Sequence, residues 1–190
     1  GGQIISVPLL NFNINLDEIS KAITSRTKMI FINNPNNPTG SVLSEEQMIR
    51  FLEEIPEDIV VILDEAYIEF VSDPVVANGL NLLEKRSLLV VLRTFSKLYG
   101  LAGLRIGYGF GSREVIDYMN RVRQPFNANV LAQAAANAAL DDITFVSKTL
   151  RLVREGLDYL YNGIQDMGLE YVPTQTNFFL IKVPLGGQKT

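Results

Sequence analysis

The 190-residue chain contains no cysteine and no histidine. Without thiols there are no disulfides and no thiolate metal sites, which fits a cytoplasmic protein. Without imidazole, Ser-His-Asp and Cys-His hydrolases are excluded, together with most zinc centres. Acid–base chemistry therefore falls to Lys, Tyr, Asp, Glu or a bound cofactor. Long apolar runs are missing too. Ile59 to Leu63 is strand-length, well short of the roughly 20 residues that span a bilayer, so no membrane segment is expected. No basic segment followed by an apolar stretch opens the chain, and no signal peptide is expected. Basic residues are few and scattered. With 17 Lys and Arg against 21 Asp and Glu the net charge is −4, which argues against nucleic-acid binding by phosphate neutralisation.

What is present can bury a core: 47% of residues are hydrophobic and 20% charged, the balance of one globular domain or of one domain and the start of another. Short apolar strands alternate with amphipathic helices, the pattern of an α/β fold with a mostly parallel, doubly wound sheet. Strands are expected at Gln3 to Leu9, Lys28 to Ile32, Asp58 to Leu63, Ser87 to Leu92 and Leu104 to Phe110. Tyr171 to Val183 resumes strand character. Helices are expected at Asp17 to Ile23, after Ser44, and at 113–122, 129–140 and 142–167. Ser44 and Gln47 form a capping box, followed by Met48, Phe51, Leu52 and Ile55 at helical spacing.

Polar and special residues fall just past the carboxyl ends of three successive strands. Asn37 lies in the turn Asn33 to Gly40, Asp64 and Tyr67 come after the next strand, and Thr94, Ser96 and Lys97 come after the third. Open α/β sheets bind ligands in the crevice at those ends. Singly, each has a plain reading: a solvated lysine, a turn, a helix cap, a structural ion pair for Arg105. Their order and spacing carry the signal. The glycines at 100, 103, 107, 109 and 111 form neither a dinucleotide fingerprint nor a P-loop.

The set matches what pyridoxal 5'-phosphate requires: an amine for an imine, a carboxylate beside the pyridine nitrogen, donors to the ring oxygen, and hydroxyls and an arginine for the phosphate. Lys97 is the candidate amine and, once freed, the candidate base. Asp64 suits the ring nitrogen and Asn37 and Tyr67 the ring oxygen. Thr94, Ser96 and Arg105 suit the phosphate.

The run NPNNPTG at Asn34 to Gly40, DEAYIEF at Asp64 to Phe70, RTFSKLYGLAGLRIGYG at Arg93 to Gly109 and RQPFNAN at Arg123 to Asn129 resemble the fold-type-I pyridoxal-phosphate aminotransferases, and within them the histidinol-phosphate type. The resemblance implies the large-domain fold of those enzymes, the roles just given, and amino transfer between glutamate and imidazole-acetol phosphate in histidine biosynthesis. It implies small amino- and keto-acid substrates and a cytoplasmic homodimer. Residues 1–165 correspond to the cofactor-binding large domain and 166–190 to the start of a small α+β domain. It further implies that a ring-stacking aromatic, part of the phosphate cup, a tyrosine from the neighbouring subunit and the substrate-carboxylate arginine lie outside the chain. Three alternatives stay open at this point: a related threonine-phosphate decarboxylase, an aromatic amino acid aminotransferase, and a non-catalytic regulatory domain that binds the same cofactor.

Overall fold

The computed structural model describes residues 2–183. Its centre is a four-stranded sheet in the order β1 (Met29–Asn33), β2 (Val60–Asp64), β3 (Leu89–Thr94), β4 (Gly107–Gly111). β1, β2 and β3 run parallel, and β4 returns antiparallel to β3. The register aligns Asn33 with Asp64 and Asp64 with Leu92, so the first three strands release their chains at nearly one level.

Helix α1 (Leu16–Lys21) precedes the sheet, and helix α2 (Glu45–Glu54) crosses from β1 to β2. Ser44 Oγ accepts from the Gln47 backbone while the Gln47 side chain accepts from the Ser44 backbone, the capping box expected from sequence. The buried face of α2 (Met48, Phe51 and Leu52) packs on Ile30, Ile32, Val61, Leu63, Leu89 and Val91. Each such side chain contributes about 2 kcal/mol of burial free energy. At the far end of α2, Arg86 donates to the carbonyls of Leu52, Ile55, Pro56 and Ile59, serving backbone acceptors at and beyond the helix end.

A short helix, α3 (Gly79–Leu82), leads into β3. Beyond β4 come α4 (Arg113–Val122), α5 (Val130–Asp141), the long α6 (Ile143–Asp166) and an antiparallel hairpin of β5 (Glu170–Val172) and β6 (Leu180–Lys182). α4 places Val115 on the opposite sheet face, against Ile62 and Val90. α6 lays Val146, Leu150 and Val153 against Tyr67, Phe70, Leu98 and Phe178, a separate apolar floor beneath the loops after β2 and β3.

Several expectations need correction. Gln3 to Leu9 forms no strand. Its Ile4 is 88% exposed, and with no neighbouring strand to bond, an apolar alternation stays extended coil. A single bridge, Leu10 to Asn13, comes after it. Tyr171 to Val183 is a hairpin rather than one strand: Pro173 to Phe179 leave the ladder to bond elsewhere. β2 and β3 sit two residues later than their apolar runs begin, because pairing starts only where Val60 and Leu89 meet partners. The small α3 has no counterpart among the expected elements; four residues carry little periodicity. The last residues of the expected small-domain segment, 184–190, lie outside the described residues.

Candidate functional site

The three parallel strands deliver three loops to one edge of the sheet. The first is the Asn34 to Gly40 turn, whose two Asn–Pro bonds are cis. Buried Asn34 anchors it: its side chain donates to the Leu43 and Ala77 carbonyls and accepts from the Leu43 backbone. Asn36, Thr39 and Ser41 are linked by side-chain hydrogen bonds. That inner scaffold leaves Asn37 facing outward. Gly40 is needed on two counts, a φ of +71° and a Thr174 side chain so near that a Cβ would lie 1.9 Å from its Oγ1.

The second loop carries Asp64 and Tyr67. Asp64 is half-buried, with Oδ1 accepting from the Ala66 backbone at 3.0 Å, and forms no salt bridge among the described residues. Tyr67 is buried, its ring edge-on to Phe178 at a centroid separation of 5.0 Å. Its hydroxyl receives the Asn37 Nδ2 at 3.3 Å. In the third loop Thr94 Oγ1 accepts from the Ser96 backbone at 3.0 Å, bending the chain so that Lys97 emerges over the site. The Lys97 Nζ stands 5.0 Å above the centre of the Tyr67 ring. The structure thus joins Asn37, Tyr67 and Lys97 by direct contact and sets Asp64 and Thr94 at the adjacent strand ends. Ser96 is half-buried beside them.

Arg105 is not brought to them by a hydrogen bond. It adopts a left-handed conformation with φ 54° and ψ 55°, is exposed, and donates to the Ala102 carbonyl at 2.8 Å. Its guanidinium is held in its own turn.

Below this polar edge lies a layer that motif reading does not single out. Glu65, next to Asp64, points the other way and is completely buried (0%). It accepts from Arg93 Nε at 2.9 Å and from the Gly79 backbone. Arg93 also donates to Asn78 Oδ1 at 2.9 Å, tying β3 to the segment before α3. Burial pushes the Glu65 carboxyl above its ordinary range, opposed by the Gly79 N–H and Arg93. Glu69, one turn on, has both carboxylate oxygens buried without a hydrogen-bond partner among the described residues, and burial pushes it up to about 7. Burial likewise raises Tyr99 and Tyr108. The only sequence signal for this layer is the position of Glu65 and Arg93 inside the same two motifs.

The donor set fits pyridoxal 5'-phosphate on its ring side. An amine stands over a phenol that is bonded to an amide, and a carboxylate with no counter-ion among the described residues sits at the neighbouring strand end, able to face a pyridinium. On the phosphate side the structure offers the Thr94 and Ser96 hydroxyls.

Comparison with known proteins points the same way. Residues 1–185 match the model of the family described as aminotransferase class I and II. Histidinol-phosphate aminotransferase of Moorella thermoacetica is 46% identical over 184 residues, which are 96% of this chain and 48% of that protein. Among solved structures, histidinol-phosphate aminotransferase from Sinorhizobium meliloti in complex with pyridoxal-5'-phosphate superposes with a TM-score of 0.88 at 30% identity, over 95% of this chain and 49% of that one. L-threonine-O-3-phosphate decarboxylase from Porphyromonas gingivalis gives a TM-score of 0.71 at 28% identity, over 87% and 50%. The chain spans about half the length of the curated relatives it matches.

Proposed function

The chain belongs to the aminotransferase class I and II family, and on that premise we propose that it forms the cofactor-carrying part of a pyridoxal-phosphate-dependent transaminase that exchanges the amino group between L-glutamate and imidazole-acetol phosphate, giving histidinol phosphate and 2-oxoglutarate. The observation that carries this reading is the contact set Lys97–Tyr67–Asn37 at the carboxyl ends of the parallel strands beside Asp64. Relatives at 43–46% identity that are named for histidinol phosphate support the substrate.

When bound, pyridoxal phosphate supplies an aldehyde carbon and an electron-withdrawing ring. The residues of the chain do the rest. Lys97 is the amine that covalently holds the cofactor. Once freed from the cofactor, its Nζ would serve as the base that moves a proton. Asp64, in no ion pair among the described residues, would keep a proton on the pyridine nitrogen. The Tyr67 hydroxyl and Asn37 Nδ2 donate to the ring oxygen. Their mutual hydrogen bond holds both donors in place before the cofactor arrives, which lowers the ordering cost of binding. Thr94 and Ser96 supply hydroxyls to the phosphate. Arg105 joins them after exchanging its bond to the Ala102 carbonyl for a charge-assisted one.

Residues up to 165 constitute the large domain in this reading, and those from 166 begin a small one. The separation of the β5–β6 hairpin from the main sheet supports that division. Among the described residues no helix is long and apolar enough to cross a membrane. The full-length protein is proposed as a cytoplasmic homodimer. An assay of the full-length protein with glutamate and a panel of keto acceptors tests the function. Amino transfer fastest to imidazole-acetol phosphate is expected. A preference for aromatic keto acids would reassign the substrate, and carbon dioxide release from threonine phosphate without amino exchange would contradict transamination.

A further inference from the structure

The segment Thr174 to Phe178, between β5 and β6, makes contacts that the reaction chemistry does not use, and they converge on one place. The Gln175 backbone N–H donates to the Gly40 carbonyl at 3.2 Å, at the end of the turn that carries Asn37. The Gln175 Oε1 accepts from the Ser72 backbone at 2.9 Å, and from the Ser72 hydroxyl and Asp73 backbone at 3.4 Å each, in the loop beyond Tyr67. Phe178 presses edge-on against the Tyr67 ring. The segment is itself braced: the Thr174 backbone donates to the Tyr161 hydroxyl of α6 at 3.1 Å, and the Thr174 and Thr176 hydroxyls are bonded to each other at 2.8 Å.

One strap therefore fastens the two loops whose tips meet in the Asn37–Tyr67 hydrogen bond. At their bases the loops are already joined by the Asn33–Asp64 strand pairing and by the Asn34 N–H donating to the Asp64 carbonyl at 2.9 Å; the strap adds a tie further out, toward the tips that carry Asn37 and Tyr67. The bond between them is long at 3.3 Å and only part-buried, of a strength that cannot hold two loops in register by itself.

We propose that Gln175 and Phe178 are positioning residues for the two donors to the cofactor's ring oxygen: the strap between β5 and β6 sets the separation of the Asn37 and Tyr67 loops, and so couples the hairpin, at the start of the small domain, to the electronic state of the cofactor ring. This inference rests on the reading of Asn37 and Tyr67 given under Proposed function. It adds a specific role for the side-chain carbonyl of Gln175. Any acceptor of that length serves, because three donors point at a single oxygen. Glutamate keeps the function, and methionine, of similar length but a poor acceptor, loses it.

The test uses the full-length protein as wild type, Gln175→Met, Gln175→Glu and Phe178→Ala. In the cofactor-free proteins, hydrogen exchange at the Ser72 and Asp73 amides is expected to speed up in Gln175→Met and to stay slow in Gln175→Glu. Titration with pyridoxal phosphate is expected to show affinity reduced roughly three- to tenfold in Gln175→Met, the loss of about one net hydrogen bond, and restored in Gln175→Glu. The pH midpoint of the bound cofactor's visible absorbance is expected to rise by roughly half a unit in Gln175→Met and Phe178→Ala, because the ring oxygen receives weaker donation. A general loss of stability would not move that midpoint. Faster amide exchange with unchanged affinity and midpoint would overturn the inference, as would equal impairment of the Met and Glu variants. Failure of the underlying reading is separable: wild-type protein would then bind no cofactor, or Lys97→Ala would keep the same visible band.

Discussion

Asp64 and Glu65 are neighbours in sequence with opposite circumstances, and the contrast divides the molecule into two layers. Asp64 sits half-buried at the sheet edge, its carboxylate accepting only from its own turn and without a counter-ion among the described residues. Glu65 is wholly buried, and Arg93, the Gly79 backbone and, through Arg93, Asn78 close around it. The upper layer keeps its polar groups available to a ligand. The lower one spends them on one another and fixes the strand ends. A site that must accept a charged cofactor needs both, since free donors hold their geometry only on a satisfied scaffold.

Breaking the lower layer should have the largest effect on folding. Arg93→Met leaves the Glu65 carboxylate buried and unpaired, and is expected to destabilise the protein by about 3–5 kcal/mol in urea denaturation. A loss below about 1 kcal/mol would show that the pair is not structural.

Glu69 sharpens the contrast through pH. Its folded value of about 7 lies above the ordinary 4.5 because burial disfavours the charge. Below pH 4.5 the group is protonated in both states. Between there and pH 7 the folded protein keeps a proton that the unfolded chain releases, so stability falls as pH rises through that window. Glu69→Gln should flatten the fall, gaining up to about 3 kcal/mol at pH 8 and nothing at pH 4. Parallel stability–pH curves for the two proteins would mean that Glu69 has a partner in the folded state.

The smallest effect on folding belongs to the upper layer. Asp64→Asn should change stability by less than about 1 kcal/mol, because no ion pair is lost. It should weaken cofactor retention and cut amino transfer by about a hundredfold or more, since the amide cannot keep the ring nitrogen protonated. Loss of stability with catalysis intact would reverse the assignment of the two carboxylates.

The upper layer is far more legible in sequence than the lower. Asn37, Asp64, Tyr67 and Lys97 stand out because each comes just after an apolar run, and a parallel sheet gathers the carboxyl-terminal loops of its strands at one edge. The capping box of α2 is equally plain, since its two partners lie three residues apart. Glu65–Arg93 spans 28 residues and Ser72–Gln175 spans 103; pairings of that range leave no periodic trace. Gln3 to Leu9 misleads for a related reason. Alternating apolar residues promise a strand only where a neighbour supplies the ladder. The left-handed turn at Arg105, which bonds its guanidinium to the Ala102 carbonyl, is likewise not foretold by its spacing from Lys97. The apolar side chains of β1 tell a similar story: Ile30 and Ile32 face α2 and are buried, while Phe31, on the other face, is 67% exposed.

The most direct test of the whole account is borohydride reduction of the full-length protein loaded with pyridoxal phosphate, then peptide mass mapping, with Lys97→Ala as control. The account predicts one modified peptide, carrying the reduced cofactor on Lys97, and neither label nor visible band in the variant. A label on any other lysine, or a visible band that persists in Lys97→Ala, would contradict it.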